Sequence, residues 1–284
     1  MKRKALLVLM SISLLGCGSD ESRPGVKPGI PSLPNSSSNP SNTKPPIDLV
    51  KPPVVPDSKP TEEVYELLPG IYDGITGQNE VAEGLIDDNK RLWVIYSDND
   101  SNRDVLGFIN TNANIVGNNG KFSVKGKNYS YDSRSDFDIT ITGNYETTKV
   151  IQGEIFDVPS RSTTYKIEHN QKLSDKKQSL TNVRNKIFTG MAYITGDTEA
   201  GILSIQVDQG GNFTGEDQSG CKMSGKFILS SSQRYFESTV TFGGAPCYAS
   251  REKVTGVALI NEDDELIVLG TDANKTKGIY FAGE

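Results

Sequence analysis

Residues Phe137-Asp138-Ile139-Thr140-Ile141-Thr142 alternate strictly between apolar and polar side chains. Successive side chains of a β-strand point to opposite faces, so this pattern predicts a strand with one buried and one solvated face. The run from Leu203 to Asp208 alternates in the same way. By contrast, the run from Leu92 to Tyr96 (Leu-Trp-Val-Ile-Tyr) has no polar face, and it predicts a strand that is buried on both sides or lies in a barrel wall.

Clusters of Gly, Asn and Asp separate these runs at intervals of about 8 to 12 residues, a spacing typical of antiparallel sandwiches and barrels. Four of the clusters predict hairpin turns, at residues 87–90, 118–120, 210–212 and 262–265. No long helical pattern interrupts the series. The chain from residue 64 onwards therefore predicts an all-β fold, an antiparallel meander that forms one or two small barrels or sandwiches.

A polar stretch from Asn170 to Asn185 breaks the strand pattern, and Leu180 with Val183 marks one or two helical turns within it. The segments on either side of this stretch begin alike, each with an aromatic and glycine-bearing strand. We therefore predict β-domain 1 over residues 64–169, a connector over 170–185 and β-domain 2 over 186–284. Each domain has room for about eight strands, enough to close a small barrel without edges. One continuous two-sheet body is the alternative.

The segment over residues 17–63 has a different composition from the rest of the chain. Eleven of the fourteen prolines lie between residues 18 and 62, mixed with Ser, Asn and Lys. Proline removes backbone donors, and the segment has little apolar surface to bury. It therefore predicts a disordered, Pro- and Ser-rich tether that holds the β-rich part away from its attachment point.

The N-terminus reads as an export signal, with basic residues at 2–4, an apolar run over 5–15 and Gly16 before Cys17. The run of about 11 residues is shorter than the roughly 20 needed to span a bilayer. Leu14-Leu15-Gly16-Cys17 resembles the lipobox of bacterial lipoprotein precursors. This resemblance implies a signal peptide over residues 1–16, removed by a dedicated peptidase, and a mature chain anchored by diacylglycerol and a palmitate-type acyl chain on Cys17. An ordinary secretory signal is the alternative.

In such lipoproteins, Gly18 at the second mature position, where Asp is absent, favours export to the outer membrane of a Gram-negative host. The lipid then faces either the periplasm or the cell surface. Removal of Cys17 from the count leaves two cysteines, Cys221 and Cys247, which can oxidise to a disulfide in an exported protein. Two separate buried thiols are the alternative.

A second resemblance rests on the pattern Gly220-Cys221, Gly244-Ala245-Pro246-Cys247 and the strand Leu92 to Ser97. These residues look like an uncharacterised group of proteobacterial β-rich lipoproteins, and the resemblance implies the Cys221–Cys247 disulfide but no known activity. The layout of anchor, tether and small barrels is also similar to that of barrel-type surface lipoproteins that bind host proteins. Fold alone does not imply function, so this second likeness concerns architecture only.

The sequence offers no catalytic set. His169 is the only histidine and is expected in a solvated loop, and zinc would need several His or Cys ligands. The carboxylate pairs at 87–88, 136 with 138, and 263–264 are expected to be solvated surface charges rather than a glycosidase pair. A net charge of -6 argues against nucleic acid as a partner. We therefore expect a non-enzymatic protein without a cofactor.

One acidic stretch is a candidate calcium site. Oxygen-bearing side chains stand at every second position in this stretch: Asp98, Asp100, Asn102 and Asp104. Their spacing matches the early part of a calcium loop, but Arg103 takes the place of the turn glycine and no glutamate follows at the bidentate position. A polar hairpin loop without a metal is the alternative.

Together these features predict an outer-membrane-anchored binding module for a macromolecular partner such as a host protein, a toxin or an envelope component. A barrel-type carrier of a small apolar ligand, such as haem or lipid, is the alternative. An enzyme of unfamiliar type is a third class, and no residue pattern supports it.

Overall fold

The computed structural model describes residues 67–100, 103–117, 119–147, 149–157, 161–197 and 200–284, without the side chains of 146 and 147. These residues all fall within one compact unit. The predicted signal peptide over 1–16, the anchor Cys17 and the tether over 17–63 lie outside the described residues. None of the helices described here combines the length and the hydropathy that a membrane crossing requires.

The first eight strands form a closed antiparallel barrel, the first barrel, in which each strand pairs with the next along the chain. Strand β8 returns to pair with β1, from Tyr72 opposite His169 to Thr76 opposite Tyr165. The eight strands are β1 Gly70–Thr76, β2 Val81–Ile86, β3 Leu92–Ser97, β4 Val105–Thr111, β5 Lys121–Ser130, β6 Ser135–Thr147, β7 Val150–Asp157 and β8 Arg161–His169.

The last eight strands form a second closed antiparallel barrel, the second barrel, with the same up-and-down order. Strand β16 pairs with β9, from Gly283 opposite Gly190 to Ile279 opposite Ile194, and this pairing closes the ring. The eight strands are β9 Ile187–Ile194, β10 Gly201–Val207, β11 Asn212–Asp217, β12 Lys222–Leu229, β13 Phe236–Phe242, β14 Lys253–Ile260, β15 Leu266–Asp272 and β16 Gly278–Gly283. The predicted all-β fold is thus confirmed, and of the proposed architectures the chain adopts two barrels.

The alternating runs of the sequence become the inward and outward faces of the barrel walls. In β6, Ile139 and Ile141 point inward and are buried, while Asp138 and its polar neighbours face outward. Each barrel encloses its own apolar core, built around side chains such as Ile141 and Ile167 in the first barrel and Phe227 and Phe236 in the second. Closure removes the free strand edges that would otherwise invite pairing with another chain.

Two short helices join the barrels, α1 Gln171–Asp175 and α2 Leu180–Val183, where the sequence predicted helical turns. The Asn170 side chain caps α1, and Ser179 with Asn182 forms a capping box at the start of α2. Val183 is completely buried and belongs to the core of the second barrel. The second helix therefore closes one end of that barrel. The division into two domains at these residues stays a prediction, because the barrels also share a core.

That shared core is the barrel seam, a third apolar cluster formed by outward-facing side chains of both barrels. The first barrel contributes Leu85, Trp93, Phe108 and Tyr129, and the second contributes Tyr235, Val257, Leu269 and Tyr280. This cluster explains the apolar run Leu92 to Tyr96, since Leu92 and Val94 pack in the first barrel whereas Trp93 and Ile95 pack in the seam. The predicted burial of this strand on both sides is confirmed.

Polar contacts frame the seam. The Asp88 carboxylate accepts hydrogen bonds from Ser231 Oγ at 2.7 Å and from the Ser232 amide at 2.9 Å. The Lys275 ammonium donates to Asn110 Oδ1 at 3.2 Å. These hydrogen bonds are exposed or partly buried, and they connect one barrel to the other beside the apolar seam.

Replacement of Tyr131 by phenylalanine is expected to stabilise the protein by about 1 kcal/mol, because its buried hydroxyl has no hydrogen-bond partner among the described residues. The Tyr131 ring stacks on Tyr193 with centroids 4.9 Å apart, and phenylalanine keeps that contact. Tyr72→Phe is the matched control, since the Tyr72 hydroxyl donates to the Leu68 carbonyl at 2.8 Å. Urea unfolding should show a higher free energy of unfolding for Tyr131→Phe and a lower one for Tyr72→Phe. A lower free energy of unfolding in both variants would contradict an unpaired Tyr131 hydroxyl.

Candidate binding site

One end of the second barrel carries a rim that the disulfide braces. Cys221 and Cys247 are bonded, with their Cα atoms 4.5 Å apart. Cys221 ends the turn between β11 and β12, and Cys247 lies in the loop over residues 243–252 between β13 and β14. The bond therefore joins two neighbouring connections at the same end of the barrel. We call these two segments the braced rim.

The sequence builds the rim from local hydrogen bonds. Asp217 Oδ1 accepts hydrogen bonds from the amides of Ser219 at 2.8 Å and Cys221 at 2.9 Å, an Asx-type turn that places the first cysteine. Gly220 takes a positive φ of 84° in this turn. The loop over 243–252 is closed at its base, because the Arg251 amide donates to the Gly243 carbonyl at 2.7 Å. Each half thus has its own hydrogen bonds in addition to the disulfide.

Tyr248 is the large hydrophobic side chain that is exposed on the braced rim. It follows Cys247 directly, and 49% of its surface remains accessible. The Lys277 ammonium lies over its ring at 5.7 Å from the centroid, a cation–π contact, and also pairs with Glu252. A Cβ on Gly196 would lie 2.6 Å from the Tyr248 hydroxyl, so the phenol approaches the neighbouring β9–β10 connection closely. The ring is therefore held in place while one face stays open.

A cavity of about 350 Å³ lies inside the second barrel at the end that bears the braced rim. The apolar part of its wall includes Leu203, Phe213, Met223 and Phe281. Cys221, Pro246 and Tyr248 also line it, so the rim borders its mouth.

A second cavity, of about 290 Å³, lies inside the first barrel. Its wall includes Val94, Ile109, Ile141 and Ile167, and polar side chains from the β1–β2 and β5–β6 connections and from the facing ends of β7 and β8 surround its mouth. Both volumes are near the lower bound of the roughly 300–1,000 Å³ found for small-molecule pockets. The alternation of the strands predicts apolar barrel interiors, but it does not predict how completely side chains fill them.

The structure places part of the calcium candidate. Asp98, Asp100 and Asp104 lie in the connection between β3 and β4, whereas Asn102 lies outside the described residues. The Asp98 amide donates to the Asp104 carbonyl at 3.1 Å, and Asp100 Oδ1 accepts from the Arg103 amide at 3.0 Å. Across the described ranges, no three His, Cys, Asp or Glu side chains are grouped so that they could hold a metal ion. Calcium binding here stays a prediction.

The expectation that the carboxylate pairs are solvated was wrong for Asp87. Its side chain is completely buried, and its Oδ2 accepts hydrogen bonds from Arg91 Nε at 2.8 Å and Trp93 Nε1 at 3.3 Å. Its Oδ1 accepts from the amides of Asn89 and Arg91. The buried charge is tolerated because these hydrogen bonds pair both oxygens of the carboxylate. Asp87 therefore organises the β2–β3 hairpin next to the seam.

His169 also differs from the expectation of a solvated loop. It is the last residue of β8 and is half-buried, with its ring packed edge-on against Tyr72 at a centroid distance of 5.1 Å. Burial, followed by the positive charge of Arg234, lowers the pKa of His169. Neither barrel cavity is lined by this side chain. Its position between the first barrel and α1 indicates a packing role.

Because of this lowered pKa, acidification is expected to destabilise the protein. As the pH falls below about 6.5, the unfolded chain takes up a proton at His169 before the folded chain does. The free energy of unfolding should therefore decrease below about pH 6.5 and stop responding to His169 once the pH passes the folded pKa. Since the sequence has a single histidine, its NMR signals report the folded pKa directly. His169→Gln should remove this slope between about pH 5.5 and 7; an unchanged slope would contradict the assignment.

No protein-family model and no curated protein matches the sequence. Among solved structures, a transferrin binding protein B double mutant from Haemophilus parasuis is 8% identical with a TM-score of 0.26, and the match covers 72% of this chain and 65% of that one. Transferrin binding protein B from Neisseria meningitidis is 10% identical with a TM-score of 0.28, covering 72% and 58%. A putative outer membrane protein from Bacteroides fragilis is 13% identical with a TM-score of 0.26, covering 76% and 97%.

The chain thus spans less than two thirds of the length of both transferrin binding proteins. TM-scores of this size are too low to transfer a site or an activity from one protein to another.

Proposed function

We propose that this chain is a lipid-anchored, non-enzymatic binding module of the outer membrane that engages a macromolecular partner through the braced rim of the second barrel. The anchor is Cys17, in the lipobox at residues 14–17, and the Pro-rich tether over 17–63 carries the barrels away from the lipid. The partner is a protein or an envelope component, on the periplasmic or the outer face of the membrane.

The exposed ring of Tyr248 on a doubly fixed loop is the observation that carries the proposal. Tyrosine is enriched among the residues that dominate protein interfaces, since it offers a large apolar face and a polar tip with few rotatable bonds. The disulfide and the contacts with Lys277 restrict the ring before any partner arrives. A restricted anchor loses less conformational entropy on binding, so more of the contact energy appears as affinity.

Photocrosslinking on intact cells tests the partner site. A p-benzoylphenylalanine residue replaces Tyr248 in one strain and Ile228 in another. Ile228 is the matched control, because it is 51% exposed against 49% for Tyr248 but lies near the far end of β12, away from the rim. The proposal expects a discrete crosslinked partner from position 248 that is absent from position 228. No crosslink from 248, or the same products from both positions, would contradict it.

Metabolic labelling tests the anchor. Cells grown with an alkyne analogue of palmitate should label the wild-type chain, because lipoprotein processing would acylate Cys17. Cys17→Ser should abolish the label and release the protein from the membrane fraction. Label retained in Cys17→Ser would contradict lipidation at this residue. Protease treatment of intact cells, beside a periplasmic control protein, then distinguishes the surface face from the periplasmic face.

A second candidate function is a carrier of a small apolar ligand, and the two barrel cavities favour it. Their volumes suit a small ligand better than a large one. Haem would need an axial ligand other than His169, which lines neither cavity. Native mass spectrometry of the purified protein distinguishes the candidates, since a carrier should retain a bound small molecule.

A further inference from the structure

The cavity of the first barrel has an apolar interior and a charged mouth. Inward-facing side chains of several strands form its wall, among them Leu92, Val94, Ile109 and Ile139. Such a wall takes up hydrocarbon, because transfer of apolar surface out of water is favourable. The mouth is charged, unlike the apolar interior, and its charge determines which end group a ligand needs.

Carboxylates dominate that mouth. The charged residues that line it are Glu80, Asp132 and Asp157 against a single cation, Arg161. Arg161 Nη2 donates to Asp157 Oδ2 at 3.4 Å, but one guanidinium whose side chain is 79% exposed offsets only part of the charge of three carboxylates. Ion pairs with so exposed a partner contribute little. The mouth therefore presents an excess of negative charge directly above an apolar interior.

Asp157 is the carboxylate best placed to meet a ligand. It ends β7 and continues the series of inward-facing positions through Ile151, Gly153 and Ile155. Its side chain is only 18% exposed, yet its Oδ1 is buried without a hydrogen-bond partner among the described residues. A buried acceptor that lacks a donor is unfavourable, so a ligand that supplies a charged N–H group would satisfy it.

Other polar groups near the mouth already have partners. The Tyr96 hydroxyl donates to Asn128 Oδ1 at 2.8 Å, and burial raises the pKa of Tyr96 to about 12, so the phenol stays neutral. Glu80 Oε2 accepts a hydrogen bond from the Thr76 hydroxyl at 2.7 Å. Among the described residues that line this cavity, Asp157 Oδ1 is the buried side-chain acceptor without a hydrogen-bond donor.

We propose that the first barrel binds small amphiphiles that carry a cationic amine on a short hydrocarbon body. The hydrocarbon lies among the isoleucines of the barrel, and the ammonium group donates to Asp157 at the mouth. This inference rests on the carrier candidate and gives it a ligand class; it is independent of the partner site at Tyr248.

Titration calorimetry with octylammonium, 1-octanol and octanoate tests the class, because the three probes share one chain length. The protein is the complete mature chain with Cys17→Ser, which keeps it free of detergent. Octylammonium is expected to bind one per chain and at least tenfold more tightly than octanol, with octanoate weakest. NMR shifts should concentrate on the methyl groups of Ile139 and Ile155, and not on Ile205 of the second barrel.

Two variants assign the end group. Asp157→Asn should lower the affinity for octylammonium by about tenfold and leave the affinity for octanol unchanged, because the substitution removes the negative charge and changes the side-chain volume little. Glu154→Gln is the control, since it removes a carboxylate from the outward face of the same strand and should change nothing. Equal affinities for octylammonium and octanol would overturn the amine class while leaving a carrier. No binding of any probe at millimolar concentration would overturn both.

Discussion

Replacement of Trp93 by alanine is expected to lower the free energy of unfolding by about 3–5 kcal/mol, the range for a large buried aromatic. Trp93 is 2% exposed and lies in the barrel seam with Phe108 and Tyr280. Its indole N–H also donates to the buried Asp87 carboxylate. The substitution therefore removes apolar contacts between the barrels and one hydrogen-bond partner of a buried charge.

The same substitution should uncouple the barrels. Each barrel has its own apolar core, and the seam joins the two. When the seam is weakened, unfolding by urea should change from one transition to two. The measurement uses far-ultraviolet circular dichroism, because the substitution removes the only tryptophan of the sequence and with it the tryptophan fluorescence. Trp93→Phe is the control, since it keeps most of the ring volume and should remain cooperative. If Trp93→Ala lowers the free energy of unfolding by less than about 1 kcal/mol and unfolds in a single transition, the seam does not couple the barrels.

Loss of the disulfide is expected to cost about 3.5 kcal/mol in the chain-entropy model, because Cys221 and Cys247 close a loop with a sequence separation of 26. The double variant Cys221→Ser/Cys247→Ser should show this loss in urea under non-reducing conditions. Dithiothreitol should bring the wild-type protein to the same stability and leave the variant unchanged. A wild-type midpoint that does not respond to the reductant would contradict a stabilising bond.

The disulfide should also matter for binding. In the double variant the loop over 243–252 loses its covalent tie to the β11–β12 turn, so Tyr248 is less restricted. We expect weaker crosslinking from position 248 even at temperatures where the variant stays folded. Full crosslinking in a folded double variant would show that the partner site at Tyr248 does not depend on the disulfide.

The strands of this protein are readable from local alternation, as Phe137 to Thr142 and Leu203 to Asp208 show. The disulfide and the two-sided burial of Leu92 to Tyr96 were also predicted. The local pattern is compatible with several architectures, because barrel closure depends on pairs such as Tyr72 with His169, almost a hundred residues apart. The local pattern carries no record of such pairings.

The features that the sequence does not predict depend on contacts between residues that are brought together only in the folded protein. Asp87 reads as a turn carboxylate, and its burial follows from the seam and from the positions of Arg91 and Trp93. Tyr248 has no sequence signal beyond its place after Cys247; its importance comes from the loop that holds it. The orphaned Asp157 Oδ1 is likewise visible only when the closed barrel surrounds it.

The affinity of the crosslinked partner for purified variants tests the central claim most directly. The partner identified from position 248 is titrated against wild-type protein, Tyr248→Ala and Ile228→Ala, all folded by circular dichroism. If the braced rim is the binding site, Tyr248→Ala should weaken binding by about thirtyfold, the effect of a 2 kcal/mol interface anchor, while Ile228→Ala changes nothing. Equal affinity of wild type and Tyr248→Ala would contradict the account.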